Sequence, residues 1–140
     1  MKLIKASFTM KEKKLSNKEW SSKLGTLEYK VTREGGTEPA FSHPGFNKDT
    51  KYFTCVCCDQ ILFHIDTKYD SGSGWPSFFA PISSTVILEK TDSSHGMNRT
   101  EVLCSNCEAH LGHVFNDGPK PTGLRYCING VSLKTKASIV

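Results

Sequence analysis

The sequence predicts a mainly β fold of antiparallel sheets, which is α+β by count of its small N-terminal helices. Two observations predict this class. After about residue 37, glycine and proline divide the chain into short runs that are rich in β-branched and aromatic residues. Apolar residues at helical spacing occur only before that point.

The size and composition favour one soluble domain. A chain of 140 residues is long enough to bury a single hydrophobic core. No apolar run approaches the roughly 18 residues that a membrane span needs. The net charge of +4 comes largely from lysines near the N-terminus, with no basic, aromatic-studded face typical of nucleic-acid binding. The N-terminus lacks a secretory signal. We therefore expect a cytoplasmic monomer that binds neither membranes nor nucleic acid.

The chain is predicted to begin with a basic, flexible extension over residues 1–15, followed by the folded domain at residues 16–138. Ser16 and Glu19 fit a capping box, in which each side chain bonds the other's backbone N–H. Trp20 follows at helical spacing, so the first helix is predicted to begin at Ser16.

A second short helix is predicted directly after the first. Thr26 is its expected N-cap, Leu27 and Val31 are expected to point inward, and Gly35 and the glycine after it are expected to end the helix.

The rest of the domain is predicted to be strands separated by turns. Five runs have strand-like composition: residues 51–55, 61–65, 85–89, 99–103 and 124–133.

Two C-x-x-C pairs predict a structural zinc site that staples distant strands together. Cys55 and Cys58 form one pair, and Cys104 and Cys107 form the other. Four thiolates are a typical ligand set for structural zinc, which leaves no open position for water. Cys57 lies inside the first pair and could replace one of its members, although the C-x-x-C spacing favours the outer two. Six cysteines in a cytoplasmic chain favour metal binding or catalysis over disulfides.

Cys127 is isolated from the other cysteines and has polar neighbours. In a strand it shares a face with Arg125 and Asn129, opposite the apolar residues. After Gly130 the apolar alternation changes phase, which predicts a bulge or bend of the kind found beside active sites. Arg125 could favour the thiolate form of Cys127.

Other candidate residues lie upstream of Cys127. His110 and His113 could supply protons near neutral pH, provided that Gly112 bends the strand enough to bring them to one face. Either histidine could equally be structural. Trp75, held between a Gly-Ser-Gly turn and a proline, is either a core anchor or the wall of an apolar pocket.

These stretches together closely resemble the methionine-R-sulfoxide reductase family, B type (MsrB). The resemblance extends from about residue 17 to residue 136, and its matching stretches are "REGGTEPAF", "FTCVCC", "KYDSGSGWPSF" and "NRTEVLCSNCEAHLGHVFNDGPKPTGLRYCINGVSL".

The resemblance implies the MsrB β-fold and reduction of the R epimer of methionine sulfoxide, mainly in oxidised proteins. It implies that Cys127 attacks the sulfoxide sulfur and becomes a sulfenic acid, the reversible first stage of cysteine oxidation. His113, with His110 and Asn129, would polarise and protonate the sulfoxide oxygen. Trp75 would receive the substrate methyl group, and Arg125 matches the family's active-site arginine.

The departure from the family pattern that matters for the reaction is at Ser73; Gly130 and Thr135 also differ from residues common in the family. Many members carry a resolving cysteine where this chain has Ser73. Thioredoxin or another thiol reductant would then reduce the sulfenic acid directly, unless Cys57 serves as the resolving thiol. We expect direct reduction.

Three rival functions can be weighed from the residues. A zinc-stabilised binding module without catalytic activity explains the paired cysteines but leaves Cys127, Trp75 and the histidine pair unused. A thiol hydrolase would explain Cys127 and His113, but would turn over without a reductant. A zinc deaminase is disfavoured, because no H-x-E precedes a P-C-x-x-C.

Overall fold

The computed structural model describes residues 15–138. The predicted N-terminal extension lies outside the described residues, apart from Leu15. Within the described range, no helix combines the length and the apolar character needed to cross a bilayer.

The described part of the chain begins with two short helices. Helix α1 spans Asn17–Lys23, and Ser16 and Glu19 form the predicted capping box. Trp20 is buried and is flanked by the cations of Lys23 and Arg33, which lie 5.1 and 4.6 Å from its ring centroid. The first helix prediction is confirmed.

Helix α2 spans Thr26–Glu34 and corrects two details of the prediction. Its N-cap is Gly25, whose backbone N–H donates to the Glu28 carboxylate at 2.8 Å, so Thr26 is the first helical residue. Val31 is fully buried as predicted, but Leu27 is 41% exposed because it lies on the outer side of the first turn. Gly35 ends the helix in the left-handed conformation.

The described residues form nine strands in two antiparallel sheets, which confirms the fold class. The strands are β1 Tyr52–Cys55, β2 Ile61–His64, β3 Lys68–Tyr69, β4 Ser77–Phe78, β5 Ile87–Asp92, β6 Arg99–Cys104, β7 His110–Phe115, β8 Arg125–Ile128 and β9 Leu133–Lys136. The smaller sheet has the order β2-β1-β9, and the larger has the order β3-β4-β8-β7-β6-β5.

The strand predictions hold for β1, β2 and β6 and need correction elsewhere. The run 124–133 was predicted as one strand, but strand β8 ends at Ile128 and a 3₁₀ turn follows at Gly130–Ser132, where the phase change was predicted. Only Leu133 of this run belongs to β9, which lies in the other sheet. Residues 84–86 form a 3₁₀ turn before β5. The two-residue strands β3 and β4 were not predicted, because they are too short to show a periodicity. Strand β7 was also absent from the predicted runs.

The aromatic core lies between the two sheets. Phe63 of β2 stacks on Phe78 of β4 at 4.1 Å between ring centroids, and Phe53 of β1 meets Phe78 edge-on at 5.0 Å. All three side chains are fully buried. Because each contact joins one sheet to the other, this cluster fixes β4, and with it the neighbouring β8, against the rest of the domain.

Candidate active site and metal centre

Cys127 lies on a central strand of the larger sheet. It is paired with Ser77 of β4 on one side and with His113 of β7 on the other. Its side chain is partly exposed, whereas Tyr126 and Ile128 on the opposite face are buried. The predicted alternation along this strand is confirmed.

The Cys127 side chain opens into a cavity of about 320 Å³. The cavity brings together five of the predicted site residues from three separate parts of the chain: Trp75, His113, Arg125, Cys127 and Asn129. Ser73 and Phe115 also line it. Trp75 is partly exposed there, so it forms a pocket wall rather than a core anchor.

A bulge in β7 brings the two histidines close together. Val102 of β6 pairs with Gly112, but the next residue of β6 pairs with His110, so Leu111 is the extra residue. The His110 and His113 ring centroids lie 5.5 Å apart. The bend expected at Gly112 is therefore present, but as a bulge at Leu111. Gly112 has a different role: it lets β8 approach closely, because a Cβ atom at this position would overlap the Cys127 carbonyl oxygen.

Each histidine is oriented by a carboxylate that the sequence did not reveal. His113 Nε2 lies 2.7 Å from Asp92 Oδ2, and this bond holds the pKa of Asp92 well below its usual range. His110 Nδ1 lies 2.6 Å from Glu101 Oε2. Burial nevertheless lowers the pKa of His110, which is 4% exposed, so the ring favours its neutral form. Asp92 belongs to β5 and Glu101 to β6, and only the strand register shows these pairings.

Burial is the largest influence on the pKa of Cys127. It raises the pKa of the thiol, while the Ser73 hydroxyl and the Arg125 guanidinium act in the opposite direction. Arg125 donates to Asp117 at 3.0 and 3.2 Å and lies 4.4 Å from the Phe115 ring centroid. Arg125 therefore favours the thiolate, as predicted, but burial outweighs it.

Glu38 ties three parts of the site together and was not predicted. Its carboxylate, 1% exposed, accepts from the backbone N–H groups of Gly130 at 2.8 Å and Val131 at 3.0 Å. Its own N–H donates to Asn129 Oδ1, and its carbonyl accepts from Trp75 Nε1, both at 2.9 Å. Glu38 lies within "REGGTEPAF", one of the stretches that resemble the family, but nothing local in the sequence assigns a role to its carboxylate.

The Asn129 amide is held on both sides. Besides accepting from Glu38, it donates through Nδ2 to the Leu111 carbonyl at 3.0 Å. This bond links the end of β8 to the β7 bulge, and so it fixes the strand that carries Cys127 relative to the strand that carries the two histidines.

The four predicted zinc ligands converge. The Cys55 and Cys107 sulfurs are 3.6 Å apart, as are those of Cys58 and Cys104, and all four lie within 4.8 Å of one another. A tetrahedral site with zinc–sulfur bonds of about 2.3 Å has sulfurs about 3.8 Å apart, so the cluster fits zinc. Cys57 is buried but is not part of the cluster.

Two matching turns present the ligands. The Asp59 N–H donates to the Cys55 carbonyl and the Glu108 N–H to the Cys104 carbonyl, each at 2.8 Å. Asp59 and Glu108 both have positive φ, 68° and 62°. Each turn therefore folds back just after its second cysteine, which aims both thiols of a pair at one point.

Comparison with known proteins agrees with this architecture. The SelR domain family model matches residues 24–137. A peptide methionine sulfoxide reductase MsrB of Acinetobacter baumannii is 55% identical over 122 residues, which cover 86% of this chain and 88% of the relative. The protein of the same name from Leptospira interrogans is 54% identical over 120 residues, covering 85% and 92%.

Proposed function

This chain belongs to the B-type methionine sulfoxide reductase family, and we propose on that premise that it reduces the R epimer of methionine sulfoxide, mainly in oxidised proteins, to methionine. The observation that carries the proposal is the position of Cys127, in a cavity bordered by Trp75 and His113. A nucleophile, an apolar wall and a proton donor around one small cavity suit attack on a sulfoxide.

In the proposed reaction the Cys127 sulfur attacks the sulfoxide sulfur. The oxygen passes to Cys127, which becomes a sulfenic acid, while the substrate sulfur leaves as the thioether of methionine. His113, held by Asp92, donates a proton to the sulfoxide oxygen. Trp75 contacts the methyl group that the thioether keeps. Each turnover leaves Cys127 oxidised by two electrons, so a reductant is required.

The remaining site residues have supporting roles in this proposal. Burial lowers the pKa of His110, so its ring packs beside His113 in the neutral form. Asn129 fixes the end of β8, and Arg125 stabilises the thiolate as the substrate excludes water. Positioned groups of this kind raise the rate because they need not reorganise during the reaction.

We propose that thioredoxin or a small thiol reduces the sulfenic acid directly. Ser73 contacts Cys127 where many family members carry a resolving cysteine. Cys57 lies beside Thr32 and the metal cluster, and it is not among the described residues that line the Cys127 cavity. A Cys57→Ser variant should therefore keep its turnover with thioredoxin. Loss of turnover with thioredoxin but not with dithiothreitol would identify Cys57 as the resolving thiol instead.

The cysteine cluster supports one structural zinc ion as cofactor, held by Cys55, Cys58, Cys104 and Cys107. Bound zinc would crosslink the end of β1 to the end of β6. The site has no chemical step in the proposed reaction, because four thiolates fill the coordination shell.

The six free cysteines favour a reducing compartment, and we propose the cytoplasm.

The direct test uses a peptide that contains R-methionine sulfoxide, with dithiothreitol as the reductant. The parent protein should form methionine over many turnovers, and Cys127→Ser should form none. With the S epimer, the parent should be inactive. Activity in Cys127→Ser, or none in the parent, would overturn the proposal. Without dithiothreitol the parent should stop after one equivalent, whereas a thiol hydrolase would need no reductant.

A further inference from the structure

A second, larger cavity adjoins the Cys127 cavity. It is a groove of about 650 Å³, and Trp75 lines both spaces. We propose that this groove binds the residues of an unfolded protein segment next to the oxidised methionine. This inference rests on the proposed function. A methionine sulfoxide side chain seated against Trp75 would leave its main chain beside the groove.

The first support is an exposed aromatic side chain at the groove, on a backbone that a hydrogen bond holds in place. Phe41 is 78% exposed and has a φ of 61°, which is uncommon for a bulky residue. Its N–H donates to the Gly74 carbonyl at 2.8 Å. A Cβ atom at Gly74 would lie 2.7 Å from the Phe41 ring, so glycine at this position leaves room for the ring beside Trp75. A strained, exposed phenylalanine held next to a candidate substrate wall suits contact with a ligand.

The second support is a pair of unsatisfied hydroxyl groups. Thr50 and Tyr69 both line the groove. Thr50 Oγ1 and Tyr69 Oη are buried and have no hydrogen-bond partner among the described residues. Buried hydroxyls without partners are uncommon. Both oxygens are closed off from solvent, so the N–H and carbonyl groups of a bound main chain would reach them only after a small movement of the groove side chains. This observation is independent of the aromatic contact.

The strand order adds a third observation. β3 is an edge strand, and its residues Lys68 and Tyr69 line the groove. An edge strand presents main-chain groups that an extended segment can pair with. Lys48 also lines the groove, and Asp70 is the one acidic residue among the described lining residues. The groove should therefore prefer acidic over basic residues beside the oxidised methionine.

Binding is tested first without catalysis. Calorimetry with the Cys127→Ser protein compares a peptide that contains R-methionine sulfoxide with N-acetyl-R-methionine sulfoxide methylamide, which has no neighbouring residues. Adding Phe41→Ala should weaken peptide binding about tenfold, equivalent to about 1.4 kcal/mol, and change binding of the small amide by less than about twofold. Thr50→Val should weaken peptide binding about threefold. The peptide carries acidic residues on either side of the methionine sulfoxide. Replacing these acidic residues by lysine should also weaken peptide binding.

A matched control separates the groove from a general surface effect. Ile82 is 43% exposed and lies outside the described cavities, so Ile82→Ala should bind both ligands as the parent does. Equal losses for both ligands, or unchanged peptide binding in Phe41→Ala, would overturn the groove proposal. Kinetics on the Cys127 enzyme then tests the proposed function separately. Peptide binding to the Cys127→Ser protein without turnover by the parent would refute the reductase function and leave the groove in place.

Discussion

Replacing Glu38 by glutamine should destabilise the domain and disturb the site together. The carboxylate accepts from two main-chain N–H groups at 2.8 and 3.0 Å in a buried position. Glutamine keeps one acceptor oxygen but turns an NH₂ group toward the second donor. Losing one charge-assisted hydrogen bond and leaving a buried N–H unpaired costs about 3 kcal/mol of the free energy of unfolding. For a domain of this size Tm should fall by about 10 °C.

The activity should fall as well, because the two N–H groups belong to residues directly after Asn129. A small shift there moves β8, and we expect kcat/KM to drop at least about tenfold. Thermal unfolding by circular dichroism and the peptide assay measure the two effects. Glu34→Gln makes the same chemical change at an exposed position and should alter neither. A Glu38→Gln protein with an unchanged Tm would refute the role assigned to the carboxylate.

Four further predictions follow from the site. Ser73→Cys should let the oxidised Cys127 close a disulfide, so that one equivalent of substrate without reductant removes two titratable thiols rather than one. Gly112→Ala should lower the free energy of unfolding by at least about 2 kcal/mol and abolish activity in the peptide assay, because its Cβ would displace the Cys127 backbone. A strong zinc chelator should lower Tm sharply, since structural zinc contributes about 10–16 kcal/mol, and metal analysis should show one zinc ion per chain. Burial lowers the pKa of His110 in the folded protein, so below about pH 6.5 the unfolded chain binds a proton on this ring that the folded protein binds less well. The free energy of unfolding should therefore fall as pH drops from 7 to 5. Denaturant titrations should show a smaller fall for His110→Gln than for the parent.

Much of the site could be predicted because its signals are local in sequence. The C-x-x-C spacing identifies all four members of the cysteine cluster, since two cysteines three residues apart can meet within a single turn. Alternation along residues 125–129 places Arg125, Cys127 and Asn129 on one face, because successive side chains of a strand point to opposite faces of the sheet.

The helices show where local reasoning reaches its limit. The capping box at Ser16 depends on residues three positions apart and was predicted correctly. The prediction that Leu27 points inward was wrong. Whether Leu27 is buried depends on which part of the fold packs against the first turn of α2, and tertiary structure decides this.

The sequence by itself determined the fold class, the two cysteine pairs that form the cluster and the face that carries Cys127. Only the tertiary structure decided which carboxylates orient the histidines, how Glu38 ties Trp75 to Asn129, and that a groove continues from the Cys127 cavity. The physical reason is that the first group of features depends on chain geometry over a few residues. The second depends on strand register and loop placement, which bring residues as far apart as Glu38 and Val131 into hydrogen-bond contact.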